Sequence, residues 1–281
     1  MKILVFGKAA CDYLQDDIYH GLKALLGTDV EANVNLAHLY KDFTGDLLSI
    51  YGRGISYAKN IDPSLRIVVS PREISQKLDF AYYDMIIYLS MHRCDQQLAE
   101  VIQRVPREKI FFCDGDDYVE IKNPLGIKLF KRELVTEPTD SIFPISFAIP
   151  EEKIVLGEVV KTHFMSTEAP VDGCRYQFTK EEDYYQEYQS SMFAITHKRW
   201  GWDCKRHYEI LCNKCIPVFL EIDKCPPHTM KTLPRKLLSE IEKSYKEVTK
   251  EDYTAWLDEL SAYTKEHLTT KKLAQYMLGY L

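Results

Sequence analysis

Between Ser190 and Asp223 the chain reads SSMFAITHKRWGWDCKRHYEILCNKCIPVFLEID, with its basic and aromatic residues crowded into one part. His197, Lys198 and Arg199 stand together, Trp200 and Trp202 flank Gly201, and Arg206 and Glu209 follow. The apolar run Met192 to Thr196 predicts a strand, Asp203 to Cys212 a helix, and Cys215 to Leu220 a second strand. The basic, aromatic turn therefore falls between the carboxyl end of a strand and the start of a helix. A helix N-terminus presents backbone N–H groups and the positive end of its dipole, which suits a phosphate. Arg206 lies in the first turn, where a guanidinium can grip two phosphate oxygens at once. Glu209, further along the same face, is placed to accept hydrogen bonds from ribose hydroxyls. Two Trp around a glycine are unfavourable to expose unless they stack on something. His197, Lys198, Trp200, Gly201, Trp202, Arg206 and Glu209 thus form an expected binding site for a nucleotide-sugar.

A second group of reactive residues lies near the amino terminus. Lys2 to Gly7 reads as a buried strand, and Ile18, Leu22, Leu25 and Leu26 recur at helical spacing over Leu14 to Leu26. Strand, loop and helix in that order open a Rossmann-like unit, and the loop between them, KAACDYLQDD, sits where open α/β sheets hold their ligands. It carries Asp12, Asp16 and Asp17. Acids at a helix start are usually caps, yet Asp12 is also placed to act as a base on a bound hydroxyl. Asp16, Asp114 and His92 stand behind it for that role.

Two other clusters admit a metal. Asp114-Gly115-Asp116-Asp117 can chelate Mg²⁺ or Mn²⁺ beside a diphosphate, or simply make a strand-end turn. Cys212-x-x-Cys215, with Cys204, His207 and Cys225 nearby, has the elements of a zinc or redox site, but a helix end and a buried strand start explain both thiols as packing. No G-x-S-x-G elbow and no phosphate-cradling G-x-x-x-x-G-K-[ST] pattern occurs.

The elements that must position these residues follow from periodicity. Strands are expected at Arg66 to Ser70, Asp84 to Leu89, Lys109 to Cys113, Ile127 to Phe130 and Lys161 to Ser166. Helices are expected at Asp95 to Val105 and Lys180 to Ser191, then at Leu237 to Val248, Asp252 to His267 and Lys271 to Leu278. Leu39 to Lys59 reads as partly helical and broken at Tyr51 to Gly54, and Phe143 to Pro150 as an extended crossing. Strands alternating with helices indicate a mainly parallel sheet. The chain has 281 residues, room for two cores, with 28% charged and 46% hydrophobic residues. A net charge of −6 argues against a general nucleic-acid binder. No apolar run is long enough to span a bilayer and no signal peptide is visible, so a cytoplasmic protein with its eight Cys mostly reduced is expected.

The stretch MFAITHKRWGWDCKRHYEILCNKCIPVFLEI resembles the nucleotide-binding half of exostosin-like glycosyltransferases over about Ser191 to Leu220. The shared pattern is a strand, a Gly-containing turn, Arg, an acidic residue and a Cys-Ile-Pro-Val strand. A small intracellular chain of this kind is similar to the members encoded by large algal viruses, including a xylosyltransferase. The resemblance implies a GT-B fold, two Rossmann-like domains with a cleft between them and C-terminal helices crossing back. It places an acceptor domain at 1–150, a donor domain at 151–250 and the returning helices at 251–281. It implies a UDP-sugar donor, a glycan or glycoprotein acceptor, inversion at the anomeric carbon and no cofactor or obligatory metal. On it, Arg206 matches the diphosphate-binding Arg, Glu209 the ribose-binding acid and Gly201 the Gly of the turn. Trp200 and Trp202 around that Gly, and Lys214 where Gly is common, depart from the pattern. The alternative is a non-catalytic nucleotide- or glycan-binding module of the same fold.

Overall fold

The computed structural model describes residues 1–281 apart from 11, 124 and 169–176. The first sheet is built from β1 (Ile3–Phe6), β2 (Val30–Ala32), β3 (Met85–Tyr88), β4 (Ile110–Asp114), β5 (Lys128–Lys131) and β6 (Ile142–Pro144). All neighbours run parallel, in the order β2-β1-β3-β4-β5-β6. Strand side chains alternate between faces, and here both faces are covered. Ile3, Val5, Met85, Ile87, Phe111 and Phe130 join one core with Leu14, Ile18 and Leu22 of α1 (Tyr13–Leu26). Leu4, Phe6, Ile86, Tyr88, Ile110 and Phe112 join the other, with Ile74 and Leu78 of α2 (Pro71–Asp79) and Val101 of α3 (Leu98–Arg104). Each such side chain, fully buried, contributes about 1.5–3 kcal/mol, which is why the strands read as nearly continuous apolar runs.

The second sheet is smaller and also parallel: β7 (His163–Met165), β8 (Ser191–Thr196) and β9 (Ile216–Phe219) in that order. The connections are α4 (Glu181–Ser190) and α5 (Lys205–Cys212), and α6 (Arg235–Ser244) and α7 (Lys250–His267) follow β9. The last helix, α8 (Thr270–Leu278), leaves this unit and packs on α1 of the first. Its approach is close enough to require glycine: a Cβ on Gly21 would lie 2.0 Å from the Thr270 carbonyl oxygen. His20 Nδ1 and Thr270 Oγ1 meet at 2.8 Å beside it. The outgoing and returning chains are bonded to each other, Ile149 N–H to Leu268 O at 2.9 Å and Thr270 N–H to Ile149 O at 3.0 Å.

Several expected elements take a different form. Arg66 to Ser70 is not a strand: Ala32 N–H donates to Ile67 O and Val69 N–H to Ala32 O, a single bridge at the sheet edge. Leu39 to Lys59 holds no α-helix but short 3₁₀ turns at Leu47–Ser49 and Tyr51–Gly54. The reason is backbone handedness, since Gly52 (φ 59), Arg53 (φ 54) and Gly54 (φ 70) are successively left-handed. The Phe143 to Pro150 crossing begins as part of β6. Unanticipated α2 starts at a capping box, Ser70 with Glu73, followed by Pro71 at the first helical position. Among the described residues no helix is long and apolar enough to cross a membrane.

Candidate active site

A cleft of about 660 Å³ opens between the carboxyl ends of the two sheets, lined from both. Its first wall is the loop between β1 and α1 together with the ends of β3, β4 and β5. Asp12 caps α1: Oδ1 accepts from Leu14 N–H at 3.1 Å and Gln15 N–H at 3.2 Å. Oδ2 accepts from Ser90 Oγ at 3.0 Å and from Arg93. Burial pushes the Asp12 carboxyl above its usual range, and the Arg93 guanidinium works against that rise. Arg93 also pairs with Asp116. Asp114 is buried and accepts from Lys131 Nζ at 2.8 Å and Asp116 N–H at 3.0 Å, with His92 Nε2 at 3.0 Å. His92, Asp114 and Asp116 hold ligand-type atoms within 4.8 Å of one another. A cation there would displace Lys131 or Arg93, which already neutralise the carboxylates. Asp16, further into α1, faces His38 at 3.0 Å inside the core.

The second wall is the turn from β8 into α5. His197 and Arg199 line it, and Trp200 stands at its mouth with 89% of its surface exposed. Trp202 turns inward instead, stacking on Phe219 at 6.4 Å, with Lys198 Nζ 5.6 Å over its ring. Trp202 and Lys198 therefore brace the turn from behind. Gly201 lies against the first wall, where a Cβ would come within 2.6 Å of Asp117 Oδ1 and Glu133 Oε1. The Glu133 carboxylate accepts from the N–H groups of Trp202 at 3.1 Å and Asp203 at 3.0 Å, and the buried Arg132 donates to the Asp203 carbonyl. His207 sits under the turn between Thr196 Oγ1 at 3.0 Å and the Trp202 carbonyl at 2.9 Å. Burial lowers its pKa to about 3, so it is a neutral brace.

Helix α5 carries consecutive cations to different places. Lys205 is buried, paired with Asp17 of α1 and donating to Ala148 O. Arg206 reaches the cleft. The helix begins at Cys204 with no side-chain cap bond, so its positive end faces the cleft without the carboxylate that α1 has. Next to it Asp203 is buried, accepting from Phe147 N–H at 2.7 Å and Tyr208 Oη at 2.9 Å. Burial raises its pKa to about 7, with Arg132 opposing.

Glu209 does not reach the cleft. It is fully buried, and its oxygens accept from Ser56 Oγ at 2.9 Å and Tyr184 Oη at 2.8 Å. Three residues along the helix carry it about 4.5 Å beyond Arg206, to a depth where Tyr184 of α4 covers it. The carboxylate beside Arg206 is Glu168, beyond β7, with Oε1 3.9 Å from Arg206 Nη2. Its Oε2 is buried and has no hydrogen-bond partner among the described residues, and burial pushes the carboxyl up. Sequence reasoning missed Glu168, because nothing local distinguishes one Glu after a short strand. The thiols are packing groups: burial holds Cys212 well above the usual thiol range and pushes Cys204, Cys215 and Cys225 up to about 12. Cys11 and Cys174 lie outside the described residues.

No protein-family model and no curated protein matches the chain by sequence. Solved structures do match in three dimensions. A glycosyltransferase from Rickettsia africae ESF-5 superposes over 100% of this chain and 97% of its own, with TM-score 0.56 and 10% identity. An alpha-glucosyltransferase in complex with UDP and a 13-mer DNA containing a central A:G mismatch superposes over 99% of both chains, with TM-score 0.50 and 10% identity. At such identity the likeness is one of fold, and the fold is GT-B: two Rossmann-like domains about a cleft, with the last helix returning to the first.

Proposed function

We propose that the protein is a cytoplasmic glycosyltransferase that moves a sugar, xylose being the first candidate, from a UDP-sugar to a hydroxyl of a glycan acceptor. The observation that carries this reading is the pairing of an uncapped helix start, α5, with Arg206 and His197 on one cleft wall, opposite Asp12 on the other. The dipole of α5 and the Arg206 guanidinium meet the diphosphate, and Glu168 rather than Glu209 receives the ribose hydroxyls. In an inverting displacement the acceptor oxygen forms a bond to the anomeric carbon as the bond to the diphosphate oxygen breaks. The diphosphate leaves with the electron pair, stabilised by Arg206 and α5 without a metal. The acceptor's proton passes to the Asp12 carboxylate, whose raised pKa makes it the stronger base.

One observation favours a second reading, a nucleotide- or glycan-binding module without turnover: every Asp12 oxygen already accepts hydrogen bonds. Thermal unfolding with UDP-, GDP- and CMP-sugars, with and without EDTA, followed by donor hydrolysis, separates the readings. Stabilisation by one UDP-sugar in the presence of EDTA, with slow hydrolysis, is the expected result. Stabilisation without turnover on any acceptor supports the module. An EDTA-sensitive effect moves His92, Asp114 and Asp116 into the site, and no response to any nucleotide removes the donor reading.

A further inference from the structure

Two aromatic side chains at the cleft are held out of the core by the backbone that presents them. Tyr51, from the first domain, keeps 65% of its surface exposed, and Trp200, from the second, 89%. Both line the same cleft. Isolated exposed aromatics are ordinary, but these are fixed at some expense. Tyr51 opens the left-handed turn Gly52, Arg53 and Gly54, and Arg53 in that conformation is strained for a side-chain-bearing residue. The turn is pinned: a Cβ on Gly52 would fall 1.9 Å from Tyr13 Oη, the Tyr13 and Tyr51 rings lie 4.9 Å apart, and Tyr57 donates to the Tyr51 carbonyl. Arg53 reaches across to the Phe178 carbonyl of the second domain.

Trp200 is fixed from the other side. Its turn is closed by Arg199 N–H on Gly201 O at 2.9 Å, and Gly201 is pressed against Asp117 and Glu133 of the first domain. The Tyr51 phenol lies within electrostatic reach of Asp117, Arg132 and Arg199, the same groups that surround the Trp200 turn. The two rings thus share one neighbourhood, on the side of the cleft formed with the first domain. Asp117 keeps 46% of its side chain open there.

We infer that Tyr51 and Trp200 form the acceptor subsite and that its occupant is a neutral saccharide, whose apolar ring face packs on the aromatics while its hydroxyls bond to Asp117 and Arg199. Resting on the proposed transferase reading, this sharpens it by moving Trp200 from the donor to the acceptor. Flat apolar surfaces set among a carboxylate and a guanidinium match a ring with carbon–hydrogen faces and a hydroxyl rim. Asp117, paired with Arg132 but half open, can accept from saccharide hydroxyls and opposes a phosphate placed directly on it.

The test uses the full-length protein saturated with UDP, titrated with neutral disaccharides (cellobiose, maltose, lactose, xylobiose) and with a single-stranded oligonucleotide, followed by tryptophan fluorescence and saturation-transfer NMR. One disaccharide is expected to shift the emission of wild type to shorter wavelength. Trp200→Ala and Tyr51→Ala should each weaken its binding about tenfold, while UDP affinity changes less than about twofold. Trp200→Phe and Tyr51→Phe, which keep a ring, should retain most of it and show that loss is not misfolding. Equal saccharide affinity in the Ala variants overturns the inference, as does the absence of saccharide binding across the panel. Oligonucleotide binding that depends on Trp200 overturns it in favour of a nucleic-acid acceptor. If UDP fails to bind while a disaccharide still binds through Trp200, the donor reading fails and the subsite stands.

Discussion

Two helices start at the cleft, α1 from the first sheet and α5 from the second, and they treat their N-termini in opposite ways. The first is closed by its own side chain, Asp12, which holds two N–H groups and a guanidinium. The second has no side-chain cap, and His197, Arg199 and Arg206 line the same cleft. Two strand–turn–helix units thus differ at their helix starts, one closed by a carboxylate paired with a guanidinium, the other uncapped with two arginines lining the cleft nearby. On the proposed reading a diphosphate binds the α5 wall and the proton acceptor stands on the α1 wall. The walls are kept in register by buried polar links, Lys205 with Asp17 and Arg132 and Glu133 with the backbone of 202–203.

Removing a link should have the largest effect. Lys205→Met leaves the Asp17 carboxylate buried without its cation, a change expected to destabilise the fold by about 3–5 kcal/mol. Asp17→Asn combined with Lys205→Met should recover much of that loss, read from denaturant midpoints. If Lys205→Met unfolds at the wild-type midpoint, the two walls are not joined through this pair.

The Asp203 link carries a pH signature. Its folded pKa of about 7 lies above the usual carboxyl value, so the folded state holds a proton that the unfolded chain has released. Its contribution is full below the unfolded pKa of about 4 and is lost as pH rises through about 7. Relative to Asp203→Asn, wild type should therefore lose stability from pH 5 to 7, by on the order of 3 kcal/mol at one proton's limiting slope. Parallel profiles for the two proteins would remove Asp203 from the account.

The walls themselves come next. Arg206→Ala should lower UDP-sugar affinity by about 1.5–3 kcal/mol, roughly ten- to a hundredfold, and lower turnover with it. Asp12 separates cap from chemistry: Asn still caps a helix, whereas Ala forfeits about 1 kcal/mol of stability. Donor-induced stabilisation should survive in both Asp12 variants and sugar transfer in neither. Normal transfer by Asp12→Asn would send the search for the base to Asp116, Asp117 or His92.

Much of this contrast was legible in the residues. Strands β1, β3, β4 and β5 and helix α1 followed from apolar periodicity because parallel strands covered on both faces leave continuous apolar runs, whereas the similar run at Arg66 to Ser70 forms only a bridge. The turn from His197 to Arg206 was legible because clustered basic and aromatic residues at a strand–helix junction have few structural explanations. What escaped were features set by tertiary contact. β2 has three residues and no pattern of its own. Lys205, beside Arg206 in sequence, gave no sign that it crosses to Asp17, since that pair spans 188 positions. The inward turn of Trp202 depends on Phe219, a residue of the next strand.

The two glutamates give the finest distinction. Glu209 matched the sequence pattern, yet Ser56 and Tyr184 satisfy it completely, so Glu209→Gln should show as lost stability with unchanged nucleotide preference. Glu168 matched no pattern, yet it stands beside Arg206 with one buried oxygen that has no hydrogen-bond partner among the described residues. Ribose is joined to the diphosphate through a single methylene, so a carboxylate beside the diphosphate Arg lies within reach of the ribose and short of the base. An unmet acceptor of this kind discriminates by what the ligand donates. Wild type should bind UDP more tightly than 2′-deoxy-UDP by about 1 kcal/mol, or roughly fivefold. Glu168→Gln should narrow that ratio mainly by weakening UDP, measured by calorimetric titration of both nucleotides against both proteins. A ratio untouched by the substitution would leave Glu168 as a structural partner of Arg206 alone and the ribose without an assigned acid.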